Sequence, residues 1–155
     1  SSESTATPPP PLAPAGGVGI SEQMLRTQML RTQFAETEYE FLPGEECGRP
    51  CLTVSRKGTA SAVIKGYGAT DGFSEVTVSI ETTAKTQADG DKALAGVLEL
   101  LHPEFADWLR ATMTNYNYNL GEWQEKTLGN KSAVFTGSEL AGTKTIKLFV
   151  RLNQE

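Results

Sequence analysis

One stretch of alternating residues constrains the fold more than any other part of the chain. Over residues 75–82, Val76, Val78 and Ile80 alternate with Glu, Thr and Ser. Successive side chains of a β-strand point to opposite faces of its sheet, so this pattern predicts a strand with one apolar and one polar face. Such a strand needs neighbours, because its backbone groups and its apolar face must both be satisfied. The chain must therefore form a sheet that is covered on one face.

Two helices are predicted directly after this strand. Over residues 89–101, leucines and valine recur at helical spacing. Pro103 ends this helix, because the residue before a proline disfavours helical backbone, and it suits the first turn of a second helix over residues 104–113. The single histidine, His102, is placed by this prediction in the last turn of the first helix, where we interpret it as a cap rather than a general base. The two helices form a kinked or cornered pair.

The remaining patterns add strands and one more helix. Ser21 can cap a helix over residues 21–34. Runs rich in β-branched and aromatic residues predict strands near residues 38–42, 52–54, 62–67, 116–120, 133–135 and 146–150. Turn-length links between these runs imply antiparallel neighbours. We therefore predict an α+β domain in which a single antiparallel sheet of about six strands carries the N-terminal helix and the central helix pair on one face.

The first 20 residues differ in composition from the rest of the chain. Residues Ser1–Gly19 are mostly Ser, Thr, Pro, Ala and Gly, with a run of four prolines. Such a segment buries too little apolar surface to offset its ordering entropy. We predict a disordered Pro/Ser/Gly-rich tether over 1–20 and a single globular domain over 21–155. A small, polar arm is also typical of the segment after the acylated cysteine of a bacterial lipoprotein. We therefore expect an exported protein, periplasmic or at the cell surface, in which this arm follows a lipid anchor before Ser1. The alternative is a disordered terminus or an interdomain linker, which occurs in any compartment.

The distribution of charge excludes several classes of partner. The chain has 14 Lys and Arg residues against 19 Asp and Glu residues, a formal net charge of −5, and its basic residues are scattered. Nucleic acids and anionic membrane surfaces are bound by clustered basic residues, so neither is predicted as a partner. No apolar stretch approaches the roughly 20 residues of a transmembrane helix. Contact with a membrane is expected only through a lipid anchor.

The two cysteines offer candidate chemistry. Gly48 and Pro50, between Cys47 and Cys51, let the chain curl back, and in an oxidising compartment we predict a disulfide between these cysteines. A thiol-redox factor using the same pair is the alternative. Its motif is similar to the C-G-P-C of thioredoxin-like proteins, but one residue more separates the thiols and no helix is predicted beside them. Two cysteines and one distant histidine make a thin ligand set, so no metal and no cofactor are predicted.

Four aromatic side chains are candidates for contact with a ligand. Tyr116 and Tyr118 alternate with asparagines, Trp123 follows them, and Trp108 lies on the second helix of the pair. Aromatic rings with a polar edge supply contact area for a sugar or a peptide. The same alternation also fits a row of rings that face the core. A pocket around Trp108, between the helix pair and the sheet, would instead bind a small ligand.

No catalytic set is recognisable in the sequence. It has no G-x-S-x-G elbow, no Walker loop and no G-x-G-x-x-G motif. We therefore predict a non-enzymatic binding or accessory domain of an exported envelope protein, which meets another envelope protein through a sheet edge or an exposed face. The alternatives are an envelope thiol-redox factor that uses Cys47 and Cys51, and a small-ligand-binding domain.

Overall fold

A computed structural model describes residues 16–29, 39–56 and 61–153 of the chain. The strands are β1 (Tyr39–Glu46), β2 (Arg49–Arg56), β3 (Ser61–Tyr67), β4 (Glu75–Thr82), β5 (Gln124–Leu128), β6 (Lys131–Leu140) and β7 (Thr143–Leu152). They form one seven-stranded sheet in the order β1-β2-β3-β4-β7-β6-β5, and all neighbours are antiparallel. The prediction of an α+β fold with one antiparallel sheet is confirmed, although the sheet has seven strands rather than about six.

The helices lie before and within this sequence of strands. They are α1 (Glu22–Met24), which continues into a π-helical turn (Leu25–Met29), α2 (Gln87–Leu100) and α3 (Pro103–Thr114). The Met24 N–H donates to Ser21 Oγ at 3.2 Å, so Ser21 is the predicted N-cap. Residues 30–34 of the predicted N-terminal helix lie outside the described residues. No helix in the described ranges is long and apolar enough to cross a bilayer.

The core lies on one face of the sheet. One line of directly opposed residues crosses five adjacent strands, and each is at most 4 % exposed: Val54, Ile64, Val78, Leu148 and Phe135. The buried residues of α2 and α3 belong to the same apolar cluster. Burial of side chains of this size is worth about 1.5–3 kcal/mol each, so this face supplies most of the driving force for folding.

The segment before α1 packs against the loop between β3 and β4. The Val18 N–H donates to the Phe73 carbonyl at 2.8 Å, and the Phe73 N–H donates to the Ile20 carbonyl at 3.0 Å. Val18 and Ile20 are 7 % and 2 % exposed. Gly17 has φ +57°, and a Cβ there would lie 2.1 Å from the Phe73 carbonyl oxygen, so only glycine fits this approach. Residues 16–20, assigned above to the tether, thus pack with the domain, whereas residues 1–15 lie outside the described ranges.

The first hairpin differs from its prediction. The strand predicted near residues 38–42 does not end there but continues through Pro43 and Gly44 to Glu46. Proline is tolerated there because β1 is at the edge of the sheet, where a missing N–H breaks no ladder bond to a further strand. The turn lies instead at Cys47 and Gly48, whose φ angles of 52° and 76° are both positive, as in two-residue type I′ hairpins.

The strand predicted at residues 116–120 is also wrong. The chain between α3 and β5 follows turns, and only β5, β6 and β7 form strands after the helices. The alternation of Tyr and Asn has the pattern of a strand, because the tyrosines pack against the sheet while the asparagines between them are exposed. A loop that packs on a sheet can therefore show the same two-residue alternation of buried and exposed side chains as a strand within the sheet.

His102 caps the second helix of the pair rather than the first. α2 ends at Leu100, and Leu101 has extended backbone, so His102 lies beyond the last turn of α2. The Glu104 N–H donates to His102 Nδ1 at 3.1 Å. This bond satisfies one of the free N–H groups at the start of α3 and gives His102 a structural role.

Candidate functional site

The candidate site lies on the sheet face that points away from the core. Thr53, Lys65, Thr77 and Phe149 are directly opposed across four adjacent strands, and each alternates with buried core residues along its own strand. All four side chains are partly exposed. We call this surface the open face.

A polar cluster joins four strands at one end of the open face. Lys65 Nζ and Tyr67 OH each donate to the Glu46 carboxylate at 2.7 Å. The Arg49 guanidinium lies 4.4 Å from the centre of the Tyr67 ring, and it donates to Glu75 Oε1 at 3.2 Å. We call these five residues the hairpin cluster. Since both of its carboxylates are paired with cations of the same cluster, its charges are largely balanced.

The pKa shifts in the hairpin cluster favour the charge states that its hydrogen bonds require. Hydrogen bonds from Lys65 and Tyr67 hold the pKa of Glu46 below its usual value, and Glu46 holds the pKa of Lys65 above its usual value. Burial, followed by the hydrogen bond to Glu46, raises the pKa of Tyr67 to about 12. A general acid or base works best with a pKa near the operating pH. The cluster is therefore suited to holding strands together rather than to transferring protons.

We expect Glu46→Gln to lower the pKa of Tyr67 from about 12, because the amide still accepts a hydrogen bond but no longer repels the phenolate. Ultraviolet titration, taken as the difference between each protein and its Tyr67→Phe counterpart, measures this pKa. Because the folded pKa lies above the unfolded value of 10.0, the stability from this group is complete below pH 10.0 and is lost as the pH rises through about 12.

The control for this titration is Glu40→Gln, on the same strand and the same sheet face. It is expected to leave the pKa of Tyr67 unchanged, because Glu40 lies six residues away near the other end of β1. Equal shifts in the two variants would mean that net charge, rather than the hydrogen bond to Glu46, determines the pKa.

A second group of side chains runs along β7 on the open face. Lys147, Phe149 and Arg151 occupy successive positions on this face, and we call them the β7 stripe. Among the described residues, no carboxylate forms an ion pair with Lys147 or Arg151. The sequence analysis missed these residues, although their alternation with Ile146, Leu148 and Val150 was a visible signal. Within the described ranges, the stripe thus combines an aromatic ring with two cations that have no carboxylate partner.

The four aromatic residues predicted to contact a ligand do not form one platform. Trp123 stacks on Phe149 of the β7 stripe with a ring separation of 5.9 Å and an angle of 6°, and it is 67 % exposed. The ring centres of Tyr116 and Tyr118 lie 4.8 Å apart, and the Tyr116 ring also packs on the core residue Phe135. Trp108, on α3, packs against the core. Only Trp123 lies on the open face.

The two tyrosines support the sheet just before β5 begins. The Gly137 N–H donates to Tyr116 OH at 3.1 Å, and Tyr116 OH donates to the Glu122 carbonyl at 2.5 Å. A Cβ at Gly137 would lie 2.7 Å from the Tyr118 ring, so this ring packs closely against the backbone of β6. These contacts complete backbone pairing that β5 is too short to provide.

Both cysteines are free thiols in this structure. Cys47 is exposed at the tip of the first hairpin, whereas Cys51 is buried in β2, with Sγ 3.8 Å from Thr53 Oγ1. The register places Gly44 opposite Cys51. Disulfides form only when the two Cα atoms are within about 7 Å, so bonding Cys47 to Cys51 would require this end of the ladder to open. The disulfide stays a prediction.

Two shallow concavities make the open face accessible. One of about 400 Å³ is bordered by Lys65 and Lys147. The other, of about 770 Å³, is bordered by Arg49 and Arg151. Glu75 lines both, so they adjoin and together follow the β7 stripe. Shallow adjoining hollows suit an extended ligand better than a compact one.

Neither a metal centre nor a known relative explains this surface. Within residues 16–29, 39–56 and 61–153, no group of three or more His, Cys, Asp or Glu side chains could hold a metal ion. Comparison of the chain with protein-family models, curated proteins and solved structures found no match. What this chain does must therefore be inferred from the open face itself.

Proposed function

We propose that this chain is a non-enzymatic binding domain that meets another protein through its open face. The observation that carries the proposal is the exposed Trp123 ring, stacked on Phe149 beside unpaired cations. Aromatic residues and arginine are enriched where proteins bind each other, because they combine apolar contact area with hydrogen-bonding groups.

The size of the open face is sufficient for a stable interface. The sheet has seven strands, and β2 and β4 are each eight residues long. With strands about 4.8 Å apart and a rise of about 3.3 Å per residue, seven strands of this length cover roughly 750 Å². A standard interface buries about 800 Å² on each partner. Association through nearly the whole of this face would therefore approach the usual size of a specific complex.

The chemistry of the open face favours binding over catalysis. In the hairpin cluster, the pKa of Glu46 is lowered and the pKa of Tyr67 is raised, so both move away from neutral pH. The thiol-redox alternative has less support, because reactive cysteines normally lie at helix N-termini, whereas Cys47 is in a hairpin turn and Cys51 is within a strand. The small-ligand alternative, a pocket around Trp108 between the helix pair and the sheet, has less support, because Trp108 packs against the core.

We further propose that the partner is another protein of the bacterial envelope. This part of the proposal depends on the composition of residues 1–15, which suits a flexible tether. A tether would hold the binding domain away from its anchor and leave the open face free. An exported, lipid-anchored protein, periplasmic or at the cell surface, is the form in which we expect the domain to work.

Site-specific photo-crosslinking in the native host tests the proposed binding role. A benzophenone amino acid replaces Thr77, at the centre of the open face, or Ala95, which is exposed on α2. We expect a light-dependent adduct with one protein from the Thr77 position and none from the Ala95 position. The captured protein, once identified and purified, should bind the isolated chain saturably.

Adducts of equal yield at both positions would contradict the proposal, because they would show random collision rather than docking on one face. A complete lack of adducts at Thr77, with the protein folded and exported, would also overturn it. Unaltered circular dichroism of both labelled proteins is the control for folding.

A further inference from the structure

We propose that the open face binds an extended acidic segment of its partner along the β7 stripe. Two carboxylates of the segment would pair with Lys147 and Arg151, and an apolar side chain between them would pack on Phe149 and Trp123. This inference depends on the binding role proposed above and adds the chemistry of the partner. The proposed ligand is a peptide segment, because the contacts are spread along a strand rather than gathered in one pocket.

Charge is the first argument for an acidic partner. Glu75 is directly opposite Arg151 in the ladder, yet its carboxylate is bonded to Arg49 at 3.2 Å. Glu46 is likewise bonded to Lys65 and Tyr67. The anions of the hairpin cluster are thus already paired, whereas the two cations of the β7 stripe have no carboxylate partner among the residues that the structure describes. This surface is locally cationic in a chain whose formal net charge is −5.

Other carboxylates on the open face do not remove this local charge. Glu81 and Glu125 lie on the same face, opposite Thr145 and Val134 of the neighbouring strands. Within the described part of the chain, neither forms an ion pair with the β7 stripe. At the edge of the stripe they would repel an acidic segment that was misplaced sideways, and so would help to fix its position.

Spacing is the second argument. Lys147 and Arg151 are four residues apart on one strand, which corresponds to about 13 Å at a rise of about 3.3 Å per residue. An extended peptide has nearly the same rise, so carboxylates at positions i and i+4 match the two cations. The side chain at i+2 then lies over Phe149. The β7 stripe therefore specifies a pattern of acidic, apolar and acidic residues at every second position.

The aromatic stack is the third argument. Trp123 and Phe149 lie nearly parallel, and the outer ring is largely exposed. A partner side chain inserted beside the stack would remove apolar surface from water at the midpoint between two ion pairs. The ion pairs would then lie around a small apolar contact from which water is excluded. Protein interfaces commonly have such an apolar core with a polar rim.

A synthetic peptide tests the inference with the full chain. The probe is acetyl-Gly-Glu-Ser-Phe-Ser-Glu-Gly-amide, which has Glu at i and i+4 and Phe at i+2. Amide chemical shifts of the isotope-labelled protein report binding up to millimolar peptide. We expect saturable shifts confined to β7 and its neighbours, and a dissociation constant that rises with salt concentration. A peptide with Gln in place of both Glu residues should bind about tenfold more weakly, since two exposed ion pairs are lost.

Charge-reversal variants locate the contact. Lys147→Glu with Arg151→Glu should weaken binding of the Glu peptide at least tenfold, because attraction becomes repulsion at two positions. The matched control is Lys85→Glu with Lys92→Glu, which makes the same change in net charge at two exposed residues near α2. The control should leave the dissociation constant within about twofold, because α2 packs on the core face of the sheet, opposite the open face, and exposed charges are screened by salt.

Each contrary result has a distinct meaning. Equal binding of the Glu and Gln peptides, shifts centred away from β7, its neighbouring strands and Trp123, or no shifts at all would overturn the acidic segment as occupant. If crosslinking at Thr77 still captured one partner, the binding role would stand with a partner of different chemistry. Shifts that depend on protein concentration alone, together with a doubled mass in solution, would assign the open face to a second copy and overturn the inference.

Discussion

Phe135→Ala is expected to lower the free energy of unfolding by about 3–5 kcal/mol, the usual cost of emptying a buried phenylalanine site. Phe135 is 0 % exposed, lies in the central line of the core, and packs edge-to-face on Tyr116 at 4.8 Å. Removal of the ring leaves a cavity that the surrounding strands can only partly close. Denaturant unfolding followed by circular dichroism measures the change. The melting temperature should fall by about 10–18 °C for a domain of this size.

The matched control is Phe149→Ala, which deletes the same ring from the adjacent strand but on the open face. Phe149 is half-buried, and its ring contact is the stack with Trp123. We expect a loss of only about 1 kcal/mol, because less apolar area is removed from a site that water can enter. Equal destabilisation by the two variants would contradict the assignment of one face to the core and the other to solvent.

Asp89→Asn should also lower the free energy of unfolding markedly. Arg56, at the end of β2, forms an ion pair with Asp89 in the first turn of α2, and the Arg56 side chain is 7 % exposed against 24 % for Asp89. Removing one member of a buried pair costs about 3–5 kcal/mol, because the remaining charge stays out of water. Since Asp89 is partly exposed, we expect a loss of free energy of unfolding near the lower limit. Thermal and denaturant unfolding both measure it.

Asp107→Asn is the control for this prediction. Asp107 is also a helical aspartate paired with arginine, but Arg110 and Asp107 are 58 % and 80 % exposed. An exposed pair of this kind is worth less than about 1 kcal/mol. A similar small effect for both variants would show that Arg56 does not depend on Asp89 for its counter-charge, and that α2 is held to the sheet by apolar contacts alone.

The fold could be predicted from the sequence wherever periodicity and burial coincide. The alternation over residues 75–82 predicted β4, because one side of that strand faces the core and the other faces the open surface. Pro103 predicted the boundary between α2 and α3. The loop at residues 116–120 was assigned to a strand because its tyrosines pack against β6 with the period of a strand. Local pattern cannot distinguish these two sources of alternation.

The open face could be predicted only in part, because its composition depends on register. Trp123 was identified as a candidate from its type, but its stack with Phe149 requires two residues far apart in sequence to meet on one face. Glu46, Lys65 and Tyr67 are brought together by pairing of three strands, and no spacing along the chain encodes that pairing. Lys147 and Arg151 were visible as charges on a strand, whereas their lack of partners is a property of the assembled sheet.

The two outer strands of the sheet have a consequence for behaviour at high local concentration. β1 carries Pro43, which offers no N–H to an incoming strand, and β5 has only five residues, with Glu125 and Lys126 in its middle. Both features discourage strand addition, which is the first step of fibre growth. Molecules held close together at a membrane surface would therefore not join edge to edge, and strand addition would not propagate from one molecule to the next.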